Sequence, residues 1–304
     1  MLYYICRMVK KLIIILWLLY PLISLCQEHI DLFSTHYKVV PTANNANTKN
    51  LTERSFTVNA LLPIQRENGD AFITGFSLEQ ATISFDNDST NFEVSYLPTR
   101  LQLGYQFSLP NNSSLMVMAL PKISSNWKNL NEKHFQFGVY ALYSFKPNPD
   151  WKVKLGGYYN SELFGPFFVP LISAEYYGFE NWLFYGTIPV NYNIMYKAGE
   201  KWRFGFRYQG LVNTIYNQTQ FQNTYWERKP QEALAVIEYY LQPNMVLRGM
   251  AGHTVLRSID LYGQNQGVDA RVSAVGIGDN RESLLSAKDA PVFQLSFIYR
   301  YNLK

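Results

Sequence analysis

The chain has 304 residues with 27 Lys or Arg against 23 Asp or Glu, a formal charge of +4. Its first 26 residues hold three of those bases and none of the acids, so the remainder carries only +1, which excludes a basic surface for nucleic acid. Both cysteines, Cys6 and Cys26, fall in that leading segment, so the rest can form neither a disulfide framework nor a thiolate metal site.

Arg7, Lys10 and Lys11 precede an apolar run from Leu12 to Leu25, followed by Ser24-Leu25-Cys26-Gln27. A basic start, a short apolar stretch and small residues before a cut predict a cleaved signal peptide over residues 1–26. The run is too short to cross a bilayer as a helix, which takes roughly 20 apolar residues. Met8 would open a more ordinary signal than Met1, and Leu25 argues against acylation of Cys26. Residues 27–53 read as a lead-in or first strand, His29 to Val40, and a polar loop, Pro41 to Asn50.

From residue 54 to 304 every stretch is short, alternating and bounded by turn chemistry. Phe56, Val58, Ala60, Leu62 and Ile64 alternate with polar neighbours until Glu67-Asn68-Gly69-Asp70, where Asn-Gly supplies the positive φ of a tight hairpin. Leu101, Leu103, Tyr105, Phe107 and Leu109 face one way, with Gln102, Gly104, Gln106 and Ser108 opposite. Phe135, Phe137, Val139, Ala141, Tyr143 and Phe145 repeat the pattern. One phrase then occurs three times, a turn of small, polar or acidic residues followed by tryptophan and an alternating strand: Asn148-Pro149-Asp150-Trp151, Gly178-Phe179-Glu180-Asn181-Trp182 and Ala198-Gly199-Glu200-Lys201-Trp202. After the third, Phe204, Phe206 and Tyr208 oppose Arg203, Arg207 and Gln209. The last strand, Val292 to Leu303, sets Phe293, Leu295, Phe297, Tyr299 and Tyr301 against Gln294, Ser296, Arg300 and Asn302.

Short turns near 66–70, 110–113, 146–150, 178–181, 198–201 and 242–244 mostly alternate with longer connections near 41–53, 86–97, 125–133, 217–230 and 257–290. That asymmetry, with an aromatic at strand mouths, predicts an all-β fold: a transmembrane antiparallel β-barrel of about 12–14 strands in the cell outer membrane. Fourteen requires His29 to Val40 as a strand and tight outer bends near Gly165-Pro166 and Ile188-Pro189-Val190. The expected lipid-facing set includes Leu103, Tyr105, Phe107, Phe137, Phe204, Phe206, Phe297 and Tyr299. Outer-membrane lipid is the expected surroundings, and the aromatic last strand fits the signal read by barrel-assembly machinery.

The run from Phe164 to Gly210, with Gly165-Pro166, Val169-Pro170 and Ile188-Pro189, resembles a family of outer-membrane β-barrel proteins of unknown function from Bacteroidota. The resemblance implies a fold and a location and carries over no catalytic residue.

Alternation also sorts the charges. Lys152, Lys154, Arg203, Arg207, Arg248 and Arg300 alternate with outward apolar residues and should project into the lumen, with Glu238 the one matching acid. Inward cations favour anionic solutes, which predicts a pore or transporter for small solutes. Pairing of the same side chains with acids, and a long 257–290 loop folded in as a plug, predicts a non-conducting barrel that binds a partner or serves as structure. No cofactor or metal is expected. His29 and His36, seven apart, should fall on opposite faces of a strand and make a poor metal pair. His134, beside Asn131 and Glu132, reads as an interface residue. A lipid-modifying hydrolase would need His253 with Asp260 and one of Ser258, Ser273 or Ser283, but alternation turns His253 toward lipid and no spacing picks out a serine.

Overall fold

The computed structural model describes residues 29–41, 50–86, 92–148, 151–176, 179–217, 223–255, 258–287 and 289–302. The signal segment and most of the Pro41 to Asn50 loop lie outside them. The strands are, in chain order, β1 (His29–Val40), β2 (Asn50–Gln65), β3 (Ala71–Asp86), β4 (Phe92–Tyr96), β5 (Thr99–Leu109), β6 (Ser113–Ile123), β7 (Phe135–Asn148), β8 (Trp151–Glu162), β9 (Gly165–Tyr176), β10 (Trp182–Thr187) and β11 (Asn191–Ala198). They continue as β12 (Trp202–Gly210), β13 (Asn213–Asn217), β14 (Thr224–Lys229), β15 (Gln231–Gln242), β16 (Met245–Thr254), β17 (Ser258–Gly263), β18 (Ala270–Val272), β19 (Val275–Ile277), β20 (Leu285–Ala287) and β21 (Pro291–Asn302).

The wall closes on itself because β1 pairs with β2 on one side and with β21 on the other. The ring then runs β2, β3, β4 with β5, β6, β7, β8, β9, β10, β11, β12, β15, β16 and β21. β4 and β5 act as one strand bent at Leu97-Pro98, since both pair with β3 and Glu79 N–H reaches Pro98 O across the bend (3.0 Å). Counted so, the described wall has fourteen strands, each antiparallel to its ring neighbours. The required bends are present at Leu163-Phe164 and at Ile188 to Val190. Of the two readings of residues 27–53, His29 to Val40 is a strand of the described wall. Closure satisfies backbone groups that hydrocarbon would leave unpaired.

The outer surface is an apolar band: Leu101, Leu103, Phe137, Phe204, Phe206 and Tyr299 are all exposed. The repeated tryptophan phrase builds one rim of it. Trp151, Trp182 and Trp202 open β8, β10 and β12 at the end where His29 pairs with Asn302, opposite Tyr176, Tyr196 and Tyr239 at ring separations of 4.9, 5.1 and 4.6 Å. Each such pair adds about 0.2–1 kcal/mol and together they make an aromatic belt at a membrane interface. The Asn68-Gly69 turn lies at the same end, with Gly69 at φ 86°. Asp70 there accepts the Ser108 N–H (2.7 Å) and the Tyr105 hydroxyl (2.8 Å), which hold its carboxyl below the usual carboxylate range.

The far end differs. β2, β3 and β4 run past the apolar band, since Arg54, Gln80 and Thr82 replace apolar residues on their outer face. On their inner face packs a second antiparallel sheet, in the order β13, β14, β17, β20, of which β14, β17 and β20 fall in the two segments expected to be long loops. Trp226, fully buried among Leu51, Ile83, Val94 and Ile259, donates its indole N–H to the Tyr96 hydroxyl (2.8 Å). Across the mouth, Thr214 accepts from Ser124 and Gln136 and donates its N–H to Glu162 (2.6, 2.9 and 2.8 Å). This cap escaped the sequence reading because β14 is buried on both faces, which erases the alternation that marks a half-buried strand.

Candidate functional site in the lumen

The seven charged residues read from the strand pattern lie in three groups. At the belted end Arg300, fully buried, donates Nε to Asp31 Oδ1 (2.7 Å) and Nη1 to Glu238 Oε2 (3.1 Å), and also bonds the Tyr240 hydroxyl. Arg248 donates Nε to the other Glu238 oxygen (2.7 Å). Arg203 lays its guanidinium 4.6 Å over the Tyr240 ring, and its Nη1 has no hydrogen-bond partner among the described residues. On the opposite side of the ring, Lys152 (3.9 Å) and Lys154 share the buried carboxylate of Glu175.

Arg207 stands apart. Nε donates to Gln209 Oε1 (2.8 Å) and Nη1 to Asn193 Oδ1 (3.2 Å), both neutral amides, and no carboxylate among the described residues pairs with it. The nearby Glu232 is held by Lys38 (2.9 Å) and Gln209 (2.6 Å). Arg207 faces a cavity of about 320 Å³ whose lining includes Lys38, Arg228, Arg248 and His36 against the single carboxylate Glu79. Arg228 in turn binds Glu79 (2.8 Å) and Glu53.

In the cap, Glu227 is fully buried and met by Lys229 (2.9 Å), Arg271 (2.5 Å) and Arg281 (2.6 Å). Burial opposes its charge, but these three cations outweigh it and keep its carboxyl below the ordinary range. Arg271 and Arg281 lie over the rings of Phe164 (4.5 Å) and Tyr262 (4.2 Å).

The excess of inward cations read from the strand pattern is thus largely corrected. Asp31, Glu79, Glu175 and Glu232 supply carboxylates beyond Glu238. Two were accessible to parity: Glu232 shares the face of Glu238 on β15, and Glu175 lies opposite Lys152. Asp31 was hidden by a bulge between Asp31 and Phe33, which flips the faces of β1. The same bulge overturns the opposite-face reading of His29 and His36. His29 is buried against Tyr185 and His36 lines the lumen, between Ser34 (2.9 Å) and Ser296 (2.8 Å). His134 is not an interface residue but fully buried, its ring edge-on to Tyr216 of the cap.

The pieces of a hydrolase are not brought together. His253 is exposed on the outer face, 2.7 Å from Thr254 O, while Asp260 accepts from Ser286 (2.7 Å) and Lys229 (3.4 Å) in the cap. Among the described residues no group of three His, Cys, Asp or Glu is placed to hold a metal.

A closed antiparallel wall with an apolar outer band, an aromatic belt and a charged interior defines a transmembrane β-barrel of the outer-membrane type. No family model matches the chain, and no curated protein does. Among solved structures it is similar to an outer membrane channel from Pseudomonas putida F1 at 11% identity and a TM-score of 0.48, covering 92% of this chain and 98% of that one. The NanC porin shares 10% identity at a TM-score of 0.36, over 88% of this chain and 98% of its own. A mutant of the Rh. blastica porin shares 6% at 0.29, again over 88% and 98%. At such values the fold of this chain rests on its own strand pairings.

Proposed function

We propose that the protein is an outer-membrane pore or transporter for small anionic solutes, with the cavity at Arg207 as its selecting site. One observation carries this reading: Arg207 is an inward cation held by amides and unanswered by any described carboxylate, beside 320 Å³ of space. Rings of Arg and Lys lower the energy of anions in a pore. Eight strands leave an interior just filled by side chains and 16 to 18 leave a water channel, so a wall of fourteen leaves a lumen that its own side chains narrow.

Reversal potentials in planar bilayers under a salt gradient test it. The expected result is anion preference, weakened in Arg207→Gln and accompanied by larger conductance when Gln264 to Ser286 is removed. Cation preference, or no conductance from either the full chain or the deletion, overturns it. A second reading is favoured by the cap: with Trp226 and Thr214 anchoring a sheet across the mouth, the barrel would be non-conducting and bind a ligand or partner through the cap. Absence of conductance in both forms is the result that reading expects.

A further inference from the structure

The wall is thinnest between β9 and β12. β10 and β11 form a short hairpin whose top meets β9 at one bridge, Ile172 N–H to Ile188 O (3.1 Å) and the reverse (2.8 Å). Beyond it, among the described residues, the edge of β9 away from β8 has no wall strand beside it. On the far side the last bond of β12 to the hairpin is Gly210 N–H to Val190 O (2.8 Å). Into this opening hangs the hairpin of β18 and β19. β18 runs parallel to β9, with Arg271 opposite Phe167 and Ser273 N–H on Phe168 O (2.8 Å). The hairpin shows Val272, Val275 and Ile277 outward and buries Arg271. Among the described residues β19 pairs only with β18, so the inserted hairpin does not reach β12.

An unpaired strand edge in hydrocarbon is strongly unfavourable, and this one is built with few donors. The carbonyl of Phe168 and both backbone groups of Ile172 point into the gap. Alternate residues of an antiparallel strand direct their backbone groups to the same side, so Pro170 also faces the gap, and it has no N–H. Pro189 tops the hairpin below and Pro230 leads into β15 opposite. Prolines on three sides leave an opening that further strand pairing could not close.

A cavity of about 140 Å³ occupies the opening. Inward Phe167 and Val169 and outward Tyr208 and Gln231 all line it, so it passes through the plane of the wall. It shares Val190, Gly210, Leu211 and Pro230 with the cavity that holds Arg207. We propose that this window is a lateral passage between the lumen and the half of the bilayer at the capped end, and that it takes a single-chain amphiphile with an anionic head: the alkyl chain lies against Phe167, Val169 and Leu211, and the head meets Arg207. The head position rests on the anion-site reading above, whereas the window rests on the wall itself.

The test is fluorescence titration of 11-(dansylamino)undecanoate into the full chain in lipid nanodiscs, with empty discs subtracted, beside anion preference in bilayers. Ala274→Trp at the tip of the inserted hairpin, and Gln231→Trp on the opposite rim, should bind the probe about tenfold more weakly, a loss of 1.4 kcal/mol, with anion preference unchanged. Arg207→Gln should lose both. Only variants that keep heat-modifiable migration count, and either rim variant suffices. Wild-type binding in both rim variants overturns the window, as does a wild-type chain that prefers anions yet does not bind the probe. Probe binding unchanged in Arg207→Gln overturns the head position. Loss of anion preference in the wild-type chain, with probe binding sensitive to the rim, overturns the anion pore and leaves the window standing.

Discussion

Two regions of the lumen treat charge in opposite ways. Around Arg300 and Arg248 each guanidinium meets a carboxylate, Asp31 or Glu238. Around Arg207 the partners are amides and a cavity remains. Desolvating a charge is tolerated when an opposite charge answers it, so the first group reads as architecture. A cation left with neutral partners beside open space keeps its field available to a solute, so the second reads as a site.

The largest effect should come from breaking the cage. Glu238→Gln leaves Arg248 and Arg300 with Asp31 alone, and loss of one partner of a buried pair costs about 3–5 kcal/mol; urea unfolding in lipid vesicles should show it. A loss below 1 kcal/mol would erase the contrast with Arg207. Next come the faces themselves. Phe206→Arg, near the bilayer midplane, should destabilise by about 2–4 kcal/mol, whereas Gln209→Arg, beside Glu232 in the lumen, should assemble as well as wild type. Equal damage would mean that the interior is misplaced.

The contrast is sharpest in Arg207→Gln. The substitution removes a buried charge together with its two bonds to neutral amides, so it should cost clearly less than Glu238→Gln, while the shift in reversal potential is clear. A cage-sized loss of stability would make Arg207 structural. The smallest effect is expected at the belted rim, where Asp70 is paired but bathed in solvent. Its carboxyl is held low, so its contribution is present above the unfolded value of about 4 and fades as pH falls through the lower folded value. The midpoints of wild type and Asp70→Asn should therefore differ slightly at neutral pH and converge in acid.

Much of this was legible along the chain. Period-two alternation set the outward faces of β5, β7, β12 and β21, and the three tryptophan phrases marked one interface before any pairing was known. The tight bends near Gly165-Pro166 and Ile188-Pro189 completed the even strand number. The cap was not legible, since β14 carries buried residues on both faces. Nor was Asp31, because one bulge inverts every later assignment on its strand.

Alternation is a property of local backbone geometry, so the sequence by itself determined which side of the wall each residue of a regular strand would take, and with it the belt, the apolar band and the inward set from Lys152 to Arg300. Which inward charges would find partners depended on strands remote in the chain. Asp31 and Arg300 stand near opposite ends of the sequence and touch because β1 and β21 close the ring. The short hairpin of β10 and β11 opens a gap only where β9 and β12 stand on either side of it, and Glu232, on the strand beside Arg207, is held by Lys38, brought in by β1. Those outcomes belong to the tertiary structure, since a charge or a backbone edge is satisfied by whatever lies across from it in space.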